Sequence, residues 1–180
     1  MFSVNEKVVY PGHGVAEIIR VVEKEVGGCK TSYYELQFLN KDMMVLVPMS
    51  GSSLPIRPLS TRKRVQEALQ LFAKPARRLD AVEFAASSWN KRNKGYQIKL
   101  RNGGLDELSE IYRDLRYFET CKDLSFGEKN LLSKAEALLA EEIALIEQIE
   151  FGKAVKFLRS LSVTSKKVNR LAEFFGPLKK

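Results

Sequence analysis

The sequence predicts an α+β protein in two parts, a small, strongly bent N-terminal β-barrel over residues 1–58 and a compact all-helical domain over residues 59–180. Three observations predict it. Short β-branched runs separated by turn residues fill the first part, the apolar period becomes helical beyond Pro58, and the net charge of +8 is spread unevenly over the 180 residues.

Each element has its own signal. Lys7-Val8-Val9-Tyr10 ends in Pro11-Gly12-His13-Gly14, residues that tolerate turn geometry, and Val15 to Val26 is rich in β-branched residues and stops at Gly27-Gly28. Ser32 to Leu39 and Met43 to Val47 flank Asn40-Lys41-Asp42 as a hairpin would, and Pro48 suits a strand end. Beyond Pro58, Val65, Leu69 and Phe72 share a helical face. Leu105, Leu108, Ile111, Tyr112, Leu115 and Phe118 form a second stripe. Ser125 and Glu128 have capping-box spacing, which predicts a helix from Ser125 through Leu131, Leu132, Ala135, Leu138, Leu139, Leu145 and Ile149. That stripe is too broad for a two-stranded coiled coil. A last helix is expected from about Lys153, ending before Gly176-Pro177.

Composition narrows the function. The longest apolar run, Met43 to Pro48, falls far short of the ~20 residues that span a bilayer, and no basic segment leads into a long apolar one at the N-terminus. A soluble, cytoplasmic protein is expected. Cys29 and Cys121 lack CxxC spacing and His13 is the one histidine, so a disulfide framework, a metal centre and a histidine-based triad all lose support. No cofactor is expected.

Charge is segregated. Residues 1–59 hold six bases and six acids, 60–104 eleven and three, 105–150 five and twelve, and 151–180 eight and one. Basic clusters of this kind gain affinity for nucleic acid by releasing condensed counterions, which favours nucleic acid over an anionic membrane or an acidic protein.

The segment Ser87 to Arg101 holds the single tryptophan, Trp89, interleaved with Lys91, Arg92 and Lys94. An aromatic ring beside charges that hold phosphates can stack or wedge. The alternative is a core anchor with solvated charges around it. The polar flanks Ser87, Ser88, Asn90 and Asn93 favour exposure, and a cap at Ser87 or Ser88 would put Trp89 on a first helical turn. Weaker candidates read as structure. Pro11-Gly12-His13-Gly14 lacks the GxxxxGK[ST] pattern of a phosphate loop, Glu141-Glu142 read as a solvated face, and Tyr33, Tyr34 and Phe38 read as packing rather than a cation cage.

Five elements in order carry a resemblance over residues 1 to about 150: Val8-Val9-Tyr10-Pro11-Gly12-His13-Gly14-Val15, Val45-Leu46-Val47-Pro48, Trp89-Asn90-Lys91-Arg92, Arg113-Asp114-Leu115, and Asp123-Leu124-Ser125-Phe126-Gly127-Glu128-Lys129. Together they resemble the CarD/CdnL family of bacterial RNA polymerase-binding transcription regulators. The resemblance implies a Tudor-like, SH3-like barrel that binds the RNA polymerase β subunit, and a helical domain on promoter DNA. It also implies a tryptophan wedged in the minor groove at the upstream edge of the melted region.

Carried over, this places Trp89 at the wedge with Lys91, Arg92 and Lys94 as its basic neighbours, and Lys24, Leu36, Leu46 and Pro48 on the polymerase-binding patch. Leu46 stands where many members use arginine, so this contact is expected to be more hydrophobic and less salt-sensitive. The expected function is a monomer that bridges the polymerase β subunit and promoter DNA without catalysis, largely independent of sequence and of any membrane. A nucleic-acid-binding module whose barrel engages another protein or RNA is the alternative. The basic extension 151–180 has no assigned role.

Overall fold

The structure is a computed structural model that describes residues 2–26, 28–49, 55–73 and 89–161, and it divides into two compact units at the Leu59/Ser60 boundary. In the first unit, β1 (Lys7–Tyr10), β2 (Gly14–Val26), β3 (Cys29–Phe38), β4 (Met44–Pro48) and β5 (Arg57–Pro58) form one antiparallel sheet in the order β4-β3-β2-β1-β5. Gly12 and Gly14 take φ of 74° and 117° between β1 and β2, and the His13 N–H donates to the Tyr10 carbonyl at 3.0 Å. A side chain at either glycine would be strained there, so this motif serves the turn.

The bend is local to β2. Ile18 pairs with Leu36 and Arg20 with Glu35, leaving Ile19 as the extra residue of a β-bulge that increases the twist of the strand. Val8, Ala16, Ile18, Tyr34, Leu36, Phe38, Val47 and Ile56 fill the core beneath it. Strand alternation separates Tyr34, which is buried, from Tyr33 on the opposite face. β5 was not expected: two residues leave no period to read, and it forms by pairing Arg57 and Pro58 with Val9 and Val8.

The second unit contains α1 (Arg62–Gln70), a short 3-10 turn (Leu71–Ala73), α2 (Trp89–Asn102), α3 (Leu105–Cys121), α4 (Phe126–Glu147) and α5 (Phe151–Leu161). The stripes named above face one shared core, including Val65, Leu69 and Phe72. The proposed cap at Ser87 or Ser88 lies outside the described residues, as does everything beyond Leu161. α4 stops short of Ile149 because Gln148 turns left-handed, with φ 54°, and α5 restarts at Phe151. α5 buries Ala154, Phe157, Leu158 and Leu161, and its Arg159 donates to Glu136 of α4 at 2.9 and 2.7 Å, so the first part of the C-terminal extension belongs to the core.

One expectation is corrected. Glu141 and Glu142 are buried within a run of seven buried residues, Leu138 to Ala144, where α4 is covered on all sides. Glu142 accepts the Ser60 N–H at 2.9 Å, and Glu147, also withdrawn from solvent, accepts from Arg62 Nε at 3.1 Å. These carboxylates hold the entry to α1 against the end of α4, so much of the acidity of residues 105–150 is spent internally.

Leu139 is fully buried at the centre of this core. Leu139→Ala should therefore destabilise the helical unit by about 2–5 kcal/mol, read in urea unfolding from the fluorescence of the single tryptophan, while Phe126→Ala at an 81% exposed position should change it by less than about 0.5 kcal/mol.

Candidate nucleic-acid interface

The start of α4 is organised by one carboxylate. Ser125 Oγ and the Ser125 N–H both donate to Glu128 Oε2 at 2.9 Å, and Ser125 Oγ accepts the Glu128 N–H at 3.4 Å, a reciprocal capping box. Glu128 is 2% exposed. Lys122 donates to it at 3.0 and 3.1 Å, and Arg92 of α2 reaches Oε1 at 3.5 Å. Burial pushes the Glu128 carboxyl up, but the Ser125 and Lys122 donors outweigh it and hold the group below the ordinary carboxylate range.

Arg92 was expected to hold DNA phosphate. Its side chain is only 12% exposed and turns inward to Glu128, so the structure corrects its role to one of fixing α2 against α4. Tyr96, one turn on, is buried; burial first, then the Asp114 charge, pushes its hydroxyl up to about 12. Arg113 forks onto Asp114 at 3.0 and 3.1 Å, and Lys99 reaches Glu110 of α3 at 2.6 Å. The Arg113-Asp114 motif thus belongs to the packing of α2 on α3.

Trp89 begins α2 half-buried and packed against the helical core. A Cβ at Gly127 would stand 3.0 Å from its Cζ2 and 3.4 Å from its Cε2, so the indole rests on the backbone of the first turn of α4, where a side chain would displace it. Neither extreme expectation holds: the ring is anchored along this edge and also lines an open groove of about 290 Å³ between α2 and α4.

Around the groove, Lys94 is exposed as expected, whereas the Lys91 side chain lies outside the described residues. Sequence reasoning missed Lys129 and Lys134. With Phe126, Asn130 and Ser133 they form an exposed stripe at i, i+3, i+4, i+7 and i+8 along α4, the complement of its apolar stripe. That complement was legible; the acidic total of residues 105–150 obscured it. The acid within Phe126–Lys134, Glu128, is buried, and α2 contains none, so these two stretches expose amides, lysines and aromatic carbon without a carboxylate.

On the sheet, Leu36 is fully buried and faces inward with Tyr34 and Phe38, which removes it from any docking patch. Leu46 is half-buried, and Pro48 and Lys24 are exposed. Phe38 N–H donates to the Met43 carbonyl and Met49 N–H to that of Ser32, so by antiparallel alternation Met44, Leu46 and Pro48 direct their backbone groups to the outer edge of β4. That edge pairs with no described strand, and Pro48 supplies no N–H there. Leu46 lies opposite Glu35, which pairs with Arg20 of β2. The Arg20 hydrogen bond lowers the Glu35 carboxyl below its ordinary range. Charge therefore adjoins Leu46 from neighbouring strands although position 46 itself is apolar.

Two family models match the chain, the CarD-like/TRCF RID domain over residues 2–60 and the CarD C-terminal domain over residues 79–159. A relative from Bacillus subtilis (strain 168), named "Putative transcription factor YdeB", is 30% identical over 150 residues, covering 83% of this chain and 94% of its own. The chain belongs to the CarD family. It is a transcription regulator with an N-terminal Tudor-like RID domain, and the match extends through most of α5. Among the described residues of this CarD-family chain, no cluster of His, Cys, Asp and Glu could hold a metal, and no helix is long and apolar enough to cross a membrane.

Removing Glu128 leaves Arg92 and Lys122 without this shared partner and uncaps α4. Glu128→Ala should cost the helical unit about 3 kcal/mol. Because the folded carboxyl lies below its unfolded value of about 4.3, its contribution is complete above that pH and fades as pH falls through the folded value. The stability difference between wild type and variant, measured by denaturant unfolding at pH 7 and pH 3, should shrink at the lower pH.

Proposed function

We propose that this CarD-family regulator, a cytoplasmic monomer, bridges the RNA polymerase β subunit and promoter DNA and stabilises the open complex without catalysis. The observation that carries the reading is the indole of Trp89, held on Gly127 at the mouth of a groove whose exposed cations are Lys94, Lys129 and Lys134. A ring already immobilised by the protein loses little further freedom when it meets DNA. Inserted at the upstream edge of the bubble, it replaces stacking lost by the adjacent base step, an interaction intact duplex does not offer. Only such a difference between states shifts the opening equilibrium. The lysines, and Lys91 with them, supply phosphate attraction common to both states. Arg92 acts from behind, holding the tryptophan's helix.

The polymerase contact falls on the outer edge of β4. Its unpaired backbone groups suit addition of a strand, and Leu46, Pro48, Lys24 and the Arg20-Glu35 pair supply the flanking chemistry. The name of the RID domain and the absence of net charge in residues 1–59 favour a protein partner here.

Trp89→Ala should shorten the lifetime of open complexes formed with the cognate polymerase about tenfold, corresponding to ~1.4 kcal/mol, with duplex DNA affinity largely kept; an unchanged lifetime would refute the wedge. Leu46→Glu should weaken binding to the β subunit by about 2 kcal/mol or more in calorimetric titration, since it sets an unpaired charge against the strand edge. Unaltered affinity would move the contact off β4.

A further inference from the structure

We infer that the groove between α2 and α4 is a pocket for one unpaired nucleobase of the melted promoter strand, an inference that rests on the DNA-binding reading above and assigns that site its ligand. At about 290 Å³ the groove lies at the lower limit of the ~300–1,000 Å³ typical of small-molecule sites, a size suited to a single planar ring system rather than a peptide segment. Its lining is chemically selective. Trp89 supplies an aromatic surface and Leu131, 5% exposed, an apolar floor. Asn93, Gln97 and Asn130 supply three carboxamides, the side chains that pair with base edges through adjacent donors and acceptors.

The amides are partly pre-arranged. Gln97 Nε2 donates to Asn93 Oδ1 at 3.2 Å across one helical turn, which leaves the Gln97 carbonyl oxygen and the Asn93 NH₂ as a neighbouring acceptor and donor. Lys134 stands at the rim, where the phosphate of an extruded nucleotide would lie. The lining contains no carboxylate, which disfavours a cationic ligand or a basic peptide. A base already unpaired at the bubble edge enters at little cost, whereas one in duplex must first be unstacked. The pocket therefore discriminates melted from closed DNA by a contact separate from the wedge.

The test uses the full chain and three fluorescent DNAs: a plain duplex, a fork with one unpaired nucleotide at the junction, and the same fork with that nucleotide abasic. All four bases are tried at the unpaired position. The fork should bind at least about fivefold more tightly than duplex, the lower range of base-aromatic stacking, and the abasic fork should bind like duplex. The double variant Gln97→Leu, Asn130→Leu, both at exposed positions where folding is checked by an unchanged melting temperature, should lose the preference for the fork and keep duplex affinity within about twofold. An abasic fork bound as tightly as the intact one, or a double variant that retains the preference, overturns the pocket while duplex binding leaves the DNA reading standing. Failure of the chain to bind any of the three DNAs overturns both.

Discussion

The carboxylate of Glu128 is the constraint on which the interface depends. It closes the cap of α4, neutralises Lys122 and Arg92, and does so almost wholly out of water. A buried charge is tolerable only when its partners are hydrogen-bonded and well placed, and each partner here belongs to a different part of the domain: the α3-α4 connection, α2 and the cap itself. The same turn of α4 carries Gly127, on which Trp89 rests. The position of the indole is thus fixed indirectly, through an ion network that touches no nucleic acid.

Charge at the end of α4 serves a comparable purpose. Glu142 and Glu147 accept from Ser60 and Arg62, and Glu136 takes both Tyr112 and Arg159. Drawing these acids inward has an electrostatic consequence. The exposed face of α2 and of the first half of α4 is left to lysine and amide groups, so a segment that is acidic in total contributes a basic surface where the groove lies.

The two units divide their recognition by secondary structure. On the sheet, an open strand edge offers backbone hydrogen bonds whose geometry is the same for any sequence, with Leu46 and the Arg20-Glu35 pair setting local selectivity. On the helices, all backbone groups are used internally, and recognition passes to side chains projecting into a groove. A protein surface suits the first arrangement and a polyanion the second.

Much of this was legible in the amino-acid order because it follows from local periodicity. The apolar stripes of α1, α3 and α4, the capping box at Ser125, the glycine turn at Pro11 to Gly14 and the alternation of Tyr33 and Tyr34 are short-range patterns, and each corresponds to an element of the structure. Trp89 and Lys94 stood out because an aromatic residue among bases in polar company is unusual. What tertiary structure alone decided was where like residues point. Arg92 and Lys94 are two positions apart, yet one is turned into Glu128 and the other into solvent; Leu36 and Leu46 are both strand leucines, yet one fills the core and the other flanks an edge. Glu141 and Glu142 resemble a solvated pair until the neighbouring helices cover them. Such distinctions depend on contacts between residues far apart in the chain, and composition and spacing carry no term for a partner 36 positions away, as Glu128 is from Arg92.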